Sequence, residues 1–307
     1  MEKVIVVIGP TSVGKTKMGV ALAKKFNGEV ISGDSMQIYK QMDIGTAKVT
    51  EEEKEGIIHH CVDILNSDET YSVHDFQQTV RKKITEITRR GHVPIIVGGT
   101  GLYIKAALYD YQFDEMENDH HAINEKYKDY TNEQLHDHLK SIDEESAKIL
   151  HFNNRRRVLR AIEIYETTGK RKSEMLEEQE HICLYDAYFV GLTLPRDVLY
   201  ERINKRVDVM MENGLKEEMD CLYSQGLTRN HQSMKAIGYK EWFDYYDHQI
   251  DLNDVLELIK KHSRQYAKRQ YTWFKNQFDV HWYDVNLENF EQTIEQVTDD
   301  IEKILKV

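Results

Sequence analysis

Apolar positions in the first hundred residues alternate between two periods. Residues 3–8 (KVIVVI) are a β-branched run ending at Gly9, which predicts a buried strand. Met18, Ala21, Leu22 and Phe26 then fall at helical spacing over 16–26, and residues 29–32 (EVIS) predict a second short strand. Thr50 with Glu53 three residues on reads as a capping box opening a helix with an acidic first turn. Ser72 caps an amphipathic helix over 72–90, with Phe76, Val80, Ile84 and Ile87 as its stripe and Gly91 as its end. Residues 93–97 (VPIIV) are the next strand, closed by Gly98-Gly99. Short apolar strands alternating with helices predict an α/β fold whose parallel sheet is covered on both faces.

The pattern changes near residue 112. Residues 114–150 are polar and helical in spacing, and no apolar strand recurs until Tyr188–Leu194 (YFVGLTL). The expected organisation is a first part of the core over 1–112, a helical insertion domain over 113–185, and a return to the core with C-terminal helices over 186–307. Beyond Pro195 the pattern is helical, over 196–212, 215–224, 235–247 and 252–276.

Composition narrows the class. Of 307 residues, 40% are hydrophobic and 31% charged, with three Pro, the profile of a globular chain rather than a disordered one. Lys+Arg 41 against Asp+Glu 53 gives a net charge of -12, which argues against nucleic-acid binding through overall charge but leaves room for a local basic groove. No apolar run reaches 18 residues, so no membrane partner is expected. The N-terminal apolar run enters a glycine-rich loop and reads as a strand, not a signal peptide. Cys61, Cys183 and Cys221 are scattered, which fits reduced, buried thiols and a cytoplasmic location. His59 and His60 beside Cys61 lack a second ligand pair at zinc spacing and read as structural.

Gly9-Pro10-Thr11-Ser12-Val13-Gly14-Lys15-Thr16 matches G-x-x-x-x-G-K-[ST], after a strand and at the opening of a helix. Backbone N–H groups and the helix N-terminus make an anion cradle, Lys15 adds a point charge, and the Thr16 hydroxyl suits Mg²⁺. The motif implies a di- or triphosphate with a metal. Asp34 lies two residues past the second strand, where open α/β sheets face their ligand crevice, and suits a general base or a metal ligand. Gly98-Gly99-Thr100-Gly101 ends the third strand where a nucleotide hydrolase usually carries an Asp. Its glycines fit close backbone approach, or a tight turn needing positive φ.

GPTSVGKT, SGDSMQIYKQMDIGTAK (32–48), VGGTGLY (97–103), RVLRAIEIYETTGK (157–170), RINKRVDVMMENGL (202–215), AIGYKE (236–241) and SRQYAKRQYTWFK (263–275) together resemble the tRNA dimethylallyltransferase family, bacterial type, without the zinc finger of eukaryotic members. The resemblance spans residues 4 to about 282. It implies a P-loop NTPase-like parallel sheet flanked by helices with a helical insertion domain. The implied reaction moves a dimethylallyl group from dimethylallyl diphosphate to N6 of the adenosine beside the tRNA anticodon, releasing diphosphate. By position, Asp34 takes the N6 proton, Thr100 hydrogen-bonds the oxygen bridging carbon and diphosphate, and Arg206 neutralises the departing diphosphate. Residues 9–16 hold the diphosphate, and Thr16 helps hold Mg²⁺. Ser35, Met36 and Gln37 seat the flipped base beside Asp34 and Thr100. Contacts to the tRNA anticodon stem-loop fall to Arg156, Arg157, Arg160, Lys235, Lys240, Arg264, Lys268 and Arg269, on a chain expected to be a monomer. Residues 106–154 hold neither Pro nor Arg, where the family carries a Pro-containing segment and an RNA-touching arginine; either Lys126 or Lys128 substitutes or the contact is lost.

The chemistry is coherent without the family. An adenine amino group is a poor nucleophile, so a base that removes its proton as the bond forms is useful. An allylic diphosphate departs once its charge is stabilised. Two basic runs offset the net charge: residues 153–172 carry seven basic against two acidic side chains, and residues 258–275 carry six basic and no acid. Lys260, Arg264 and Lys268 share one helix face, with Leu252, Val255, Leu256, Ile259 and Tyr266 on a core-facing stripe. Alternative readings are a P-loop small-molecule kinase, a prenyltransferase acting on free adenine nucleotides, and a non-catalytic RNA-binding protein.

Overall fold

The computed structural model describes residues 1–111, 120–177 and 181–305. In chain order the first strands and helices are β1 (Lys3–Ile8), α1 (Lys15–Lys25), β2 (Gly28–Ser32), α2 (Glu51–Lys54), β3 (His59–His60), α3 (Val73–Arg89), β4 (Val93–Gly98) and α4 (Gly101–Leu108). Five helices follow: α5 (His120–Lys126), α6 (Asn132–Ile142), α7 (Glu144–Ile149), α8 (Arg155–Thr168) and α9 (Lys172–Glu177). The chain continues through β5 (Asp186–Thr193), α10 (Arg196–Glu212), α11 (Leu215–Ser224), α12 (Trp242–Tyr246), α13 (Leu252–Gln277), β6 (His281–Asp284) and α14 (Phe290–Leu305). These elements form two compact units, one of Met1–Tyr109 with Cys183–Val307 and one of Asp110–Ile182. The expected boundary at 112/113 lies outside the described residues.

The first unit is built on a sheet of order β3-β2-β4-β1-β5-β6 in which every pairing is parallel. Period-2 alternation sends Val4, Val6 and Ile8 into one core and Ile5 and Val7 into the other, so β1 is buried on both faces. The α/β class expected from the alternation is the one observed. The second unit packs its own small core of Leu135, Leu139, Val158 and Ile162 from α6 and α8.

Local chemistry sets most element starts. Both expected caps form, Thr50 with Glu53 and Ser72 with Asp75, each pairing side chain and backbone reciprocally. Four expectations are corrected. Residues 235–247 are not one helix: Gly238 sits at φ +98°, its N–H bonds Glu241 and its carbonyl accepts from Trp242, so only Trp242–Tyr246 is α-helical. The C-terminal part is not all helical, because β6 adds to the sheet edge beside β5. Tyr266 leaves the core stripe and lines a cavity, whereas Val255 and Ile259 are buried. The three thiols are unpaired, but Cys221 is exposed. His60 is tied to buried Glu29 at 2.6 Å.

Candidate active site

The site lies at the C-terminal ends of β1, β2 and β4. Residues 9–16 connect β1 to α1, and the turn is possible because Gly14 takes φ +106° at the helix N-cap, a left-handed conformation that costs glycine little. Lys15 Nζ folds back on this loop and donates to the carbonyls of Gly9 (3.0 Å) and Pro10 (2.8 Å). Burial first, and then the neighbouring Arg206, lowers its pKa to about 7, against the opposing pull of Asp34. Arg202 Nε donates to Ser12 O across the loop at 3.0 Å.

Two cavities meet here. One, of about 550 Å³, is lined by Thr11, Ser12, Gly14, Lys15 and Thr16 and by Arg202, Lys205, Arg206 and Glu53. The other, of about 340 Å³, has apolar walls of Met36, Ile203, Val207, Met210, Ile237 and Ile259, closed by Tyr266 and rimmed by Lys235, Lys240 and Arg269. Asp34, Arg206, Thr11, Ser12, Thr46 and Ala47 line both. The carboxylate and the guanidinium therefore stand where a polar chamber opens into an apolar one. Burial lowers the Arg206 pKa, with Glu53 and Asp34 pulling it back up. Among the described residues Arg206 has no hydrogen-bond or ion-pair partner. A partly buried cation that meets its nearest carboxylates only through space, with no direct hydrogen bond, is well placed to receive an anion.

Asp34 is held by its own turn, with Oδ1 accepting from Met36 N at 2.8 Å. Thr100 Oγ1 accepts from Ser35 N at 3.1 Å and lies 3.3 Å from Ser35 Oγ, so its hydroxyl is engaged with the Asp34 loop and lines neither cavity. Gln37 reaches Ser32 Oγ and the carbonyls of Thr46 and Ala47.

The turn at 98–101 has a different logic from that expected. None of its glycines has positive φ. A Cβ on Gly99 would collide with the Gln270 amide, and one on Gly101 with the Trp273 ring. These glycines make room for α13. Gln270, 5% exposed, receives Thr11 N–H on Oε1 at 3.0 Å and gives Nε2–H to Gly99 O at 3.0 Å. Thr11 N–H, expected in the anion cradle, is thus bonded within the protein. The loop 43–47 is fixed by Glu218, whose carboxylate accepts from the backbone of Asp43, Ile44 and Gly45 at 2.7–3.0 Å and from Tyr239 OH at 2.6 Å.

The expected RNA contacts divide between the units. Lys235, Lys240, Arg264, Lys268 and Arg269 belong to the first. Lys260 is tied to Asp208 at 2.8 Å and Arg264 bonds Asn204, so two of the three cations on that face of α13 are anchored to α10, while Lys268 is exposed. Arg156, Arg157 and Arg160 lie on α8 of the second unit, the first two exposed and Arg160 paired with Glu163 at 2.8 Å. Lys126 is paired with Glu166 and Lys128 with Glu125. Sequence reasoning passed over Gln270 and Glu218. Gln270 did leave a signal: it stands four residues from both Tyr266 and Phe274, a polar residue at a position of apolar spacing.

Fold and loop define a P-loop-type α/β protein. A family model described as IPP transferase matches residues 37–277, and the chain belongs to that family. It is 54% identical to a tRNA dimethylallyltransferase of Bacillus cereus over 287 residues, 92% of this chain and 90% of that one. A Bacillus anthracis protein of the same name matches at 54% over 92% of this chain and 91% of its own. The fold is similar to a crystal structure of a tRNA isopentenylpyrophosphate transferase from Staphylococcus epidermidis (TM-score 0.74, 47% identity, 99% of each chain). It is also similar to a eukaryotic dimethylallyltransferase acting on tRNA (TM-score 0.86, 33% identity, 99% of this chain and 79% of that one). No helix among the described residues is long and apolar enough to cross a membrane.

Proposed function

We propose that this enzyme transfers a dimethylallyl group from dimethylallyl diphosphate to the exocyclic N6 of the adenosine adjacent to the anticodon of a tRNA, releasing diphosphate. The observation that carries this reading is the junction of the two cavities at Asp34 and Arg206. One side offers cations for a diphosphate, and the other an apolar space for a five-carbon chain and an extruded purine. A kinase would need charge stabilisation on both sides of the transferred group; the apolar walls favour a hydrocarbon.

The N6 lone pair forms a bond to the allylic carbon while the carbon–oxygen bond to diphosphate breaks. The N6 proton goes to Asp34, whose Oδ1 is already held by Met36 N. The bond's electron pair leaves with diphosphate, whose charge meets Arg206 and Lys15. In place of its two carbonyl partners, Lys15 then points to phosphate oxygens. The Thr100 hydroxyl, turned from Ser35 Oγ, becomes the donor for the bridging oxygen, and Ser35, Met36 and Gln37 seat the base. Base extrusion costs least from a loop. Lys235, Lys240, Arg264, Lys268 and Arg269 follow the RNA backbone in one unit, and Arg156, Arg157 and Arg160 do so in the other.

Mg²⁺ fits the polar chamber, whose wall carries the hydroxyl of Thr16 and the carboxylates of Asp34 and Glu53, the hard oxygen donors that this ion takes. Thr16 would hold it, and its charge would offset that of the diphosphate. The test is incubation with labelled dimethylallyl diphosphate and either unmodified tRNA or free adenine nucleotide. Label in tRNA alone is expected; label in the free nucleotide, or in neither, contradicts the reading.

A further inference from the structure

The bridge made by Gln270 joins the two halves of the site. Its carboxamide accepts from Thr11 N–H in the phosphate loop and donates to Gly99 O, next to Thr100, each at 3.0 Å. Thr100 N in turn donates to Gly33 O at 3.2 Å, and Thr100 Oγ1 holds Ser35 N, the neighbour of Asp34. A short chain of hydrogen bonds therefore runs from the anion loop to the base that receives the proton. Three further features show that the bridge is built in. Gln270 is buried, Tyr266 OH also donates to Gly99 O at 3.3 Å, and residue 99 has no space for a side chain because the carboxamide fills it. Only a group with an acceptor and a donor on one planar end serves both partners, which glutamine provides and a charged or aliphatic side chain does not.

We infer that Gln270 is a positioning residue for group transfer: it sets the separation between the phosphate loop, where the leaving group sits, and the Thr100–Asp34 side, where the purine nitrogen sits. The inference rests on the transfer reading above. Each substrate binds its own half, so losing the bridge leaves both affinities nearly intact and misaligns the reacting atoms. Misplacement on the scale of an ångström costs up to about 10²-fold in rate.

Two variants test it, each measured for kcat, for the KM of dimethylallyl diphosphate and for the binding of inorganic pyrophosphate. Gln270→Met removes both hydrogen bonds without adding charge. Its expected kcat is about tenfold or more below wild type, with KM and pyrophosphate affinity within about threefold. Gln270→Glu keeps the acceptor but loses the donor while ionised, and a protonated carboxyl restores both bonds. Its kcat relative to wild type is therefore expected to rise as pH falls from 8 to 6. Lys15, Asp34, Tyr266 and Arg269 are the charged and titratable groups around the bridge; Lys15, whose pKa an ionised carboxylate at position 270 would raise, is removed from the ratio by repeating the comparison in Lys15→Arg backgrounds, and the others are common to both proteins. Should Gln270→Met fail to fold, the kcat of Gln270→Glu at pH 8, where the carboxyl is ionised and the donor is lost, decides alone. A kcat within twofold of wild type in Gln270→Met, or in Gln270→Glu at pH 8, overturns the bridge while the transfer reading stands. A wild-type protein that labels no tRNA overturns both.

Discussion

Two glycine-rich turns border the site, and they use glycine for different reasons. In the phosphate loop, Gly14 takes φ +106° because the backbone must reverse into α1. In the 98–101 turn the backbone is ordinary, and Gly99 and Gly101 are small so that Gln270 and Trp273 of α13 can enter. The first requirement is local and belongs to a motif of eight residues. The second is set about 170 positions away in the chain and has no local signature. A glycine next to a strand end thus marks either a ligand's place or a helix's place, and only the fold distinguishes them.

The largest expected effect falls between the two turns. Asp34→Ala is expected to lower turnover by about 10²–10⁴-fold, the usual worth of a positioned base, with tRNA affinity largely kept. Equal loss of both, by single-turnover labelling and RNA titration, would remove Asp34 as the base. Next is the packing of the second turn. Gly101→Ala is expected to destabilise by about 1–3 kcal/mol through overpacking against the Trp273 ring. Trp273→Leu in the same chain should recover part of that loss, a coupling that denaturant unfolding of the two single variants and the double variant reads directly. Additive losses would mean that the ring is not what excludes a side chain there.

The phosphate loop answers to pH instead. Lys15 has its pKa lowered to about 7 by burial and by Arg206, and an anion beside it raises that pKa again. Below pH 7 the lysine is charged in both free and bound states, and affinity is indifferent to it. Above pH 7, binding takes up a proton, so affinity for inorganic pyrophosphate should fall relative to Lys15→Arg, whose charge does not titrate, by up to about tenfold per pH unit. A constant ratio from pH 6.5 to 8.5 would mean that Lys15 is charged throughout. The smallest effect is on α13: Arg264→Glu should weaken tRNA binding and flatten its salt dependence by about one unit of slope or more. Unchanged affinity would place the RNA elsewhere.

The sequence carried the fold where the signal was periodic. β1, β2, β4 and β5 announced themselves as apolar runs, and α10 and α11 span the residues that their spacing predicted. What escaped was short or polar. β3 is two histidines, β6 (HWYD) has only one fully buried residue, and residues 236–241 look helical until Gly238 takes φ +98°. At the site, the phosphate loop and Asp34 were legible because their chemistry is conspicuous. Gln270 and Glu218 were not, since an amide in a basic run and an acid in an acidic helix look like solvated surface until their backbone partners at Thr11, Gly99 and residues 43–45 are known.

The most direct test is a crystal structure of this chain with a thiolo analogue of dimethylallyl diphosphate, which cannot readily ionise, and a tRNA anticodon stem-loop. The account predicts the pyrophosphoryl group beside Lys15 and Arg206, the hydrocarbon in the apolar chamber, and Asp34 within hydrogen-bond reach of the adenine N6. A pyrophosphoryl group bound away from residues 9–16, or an adenine with N6 out of reach of Asp34, would contradict it.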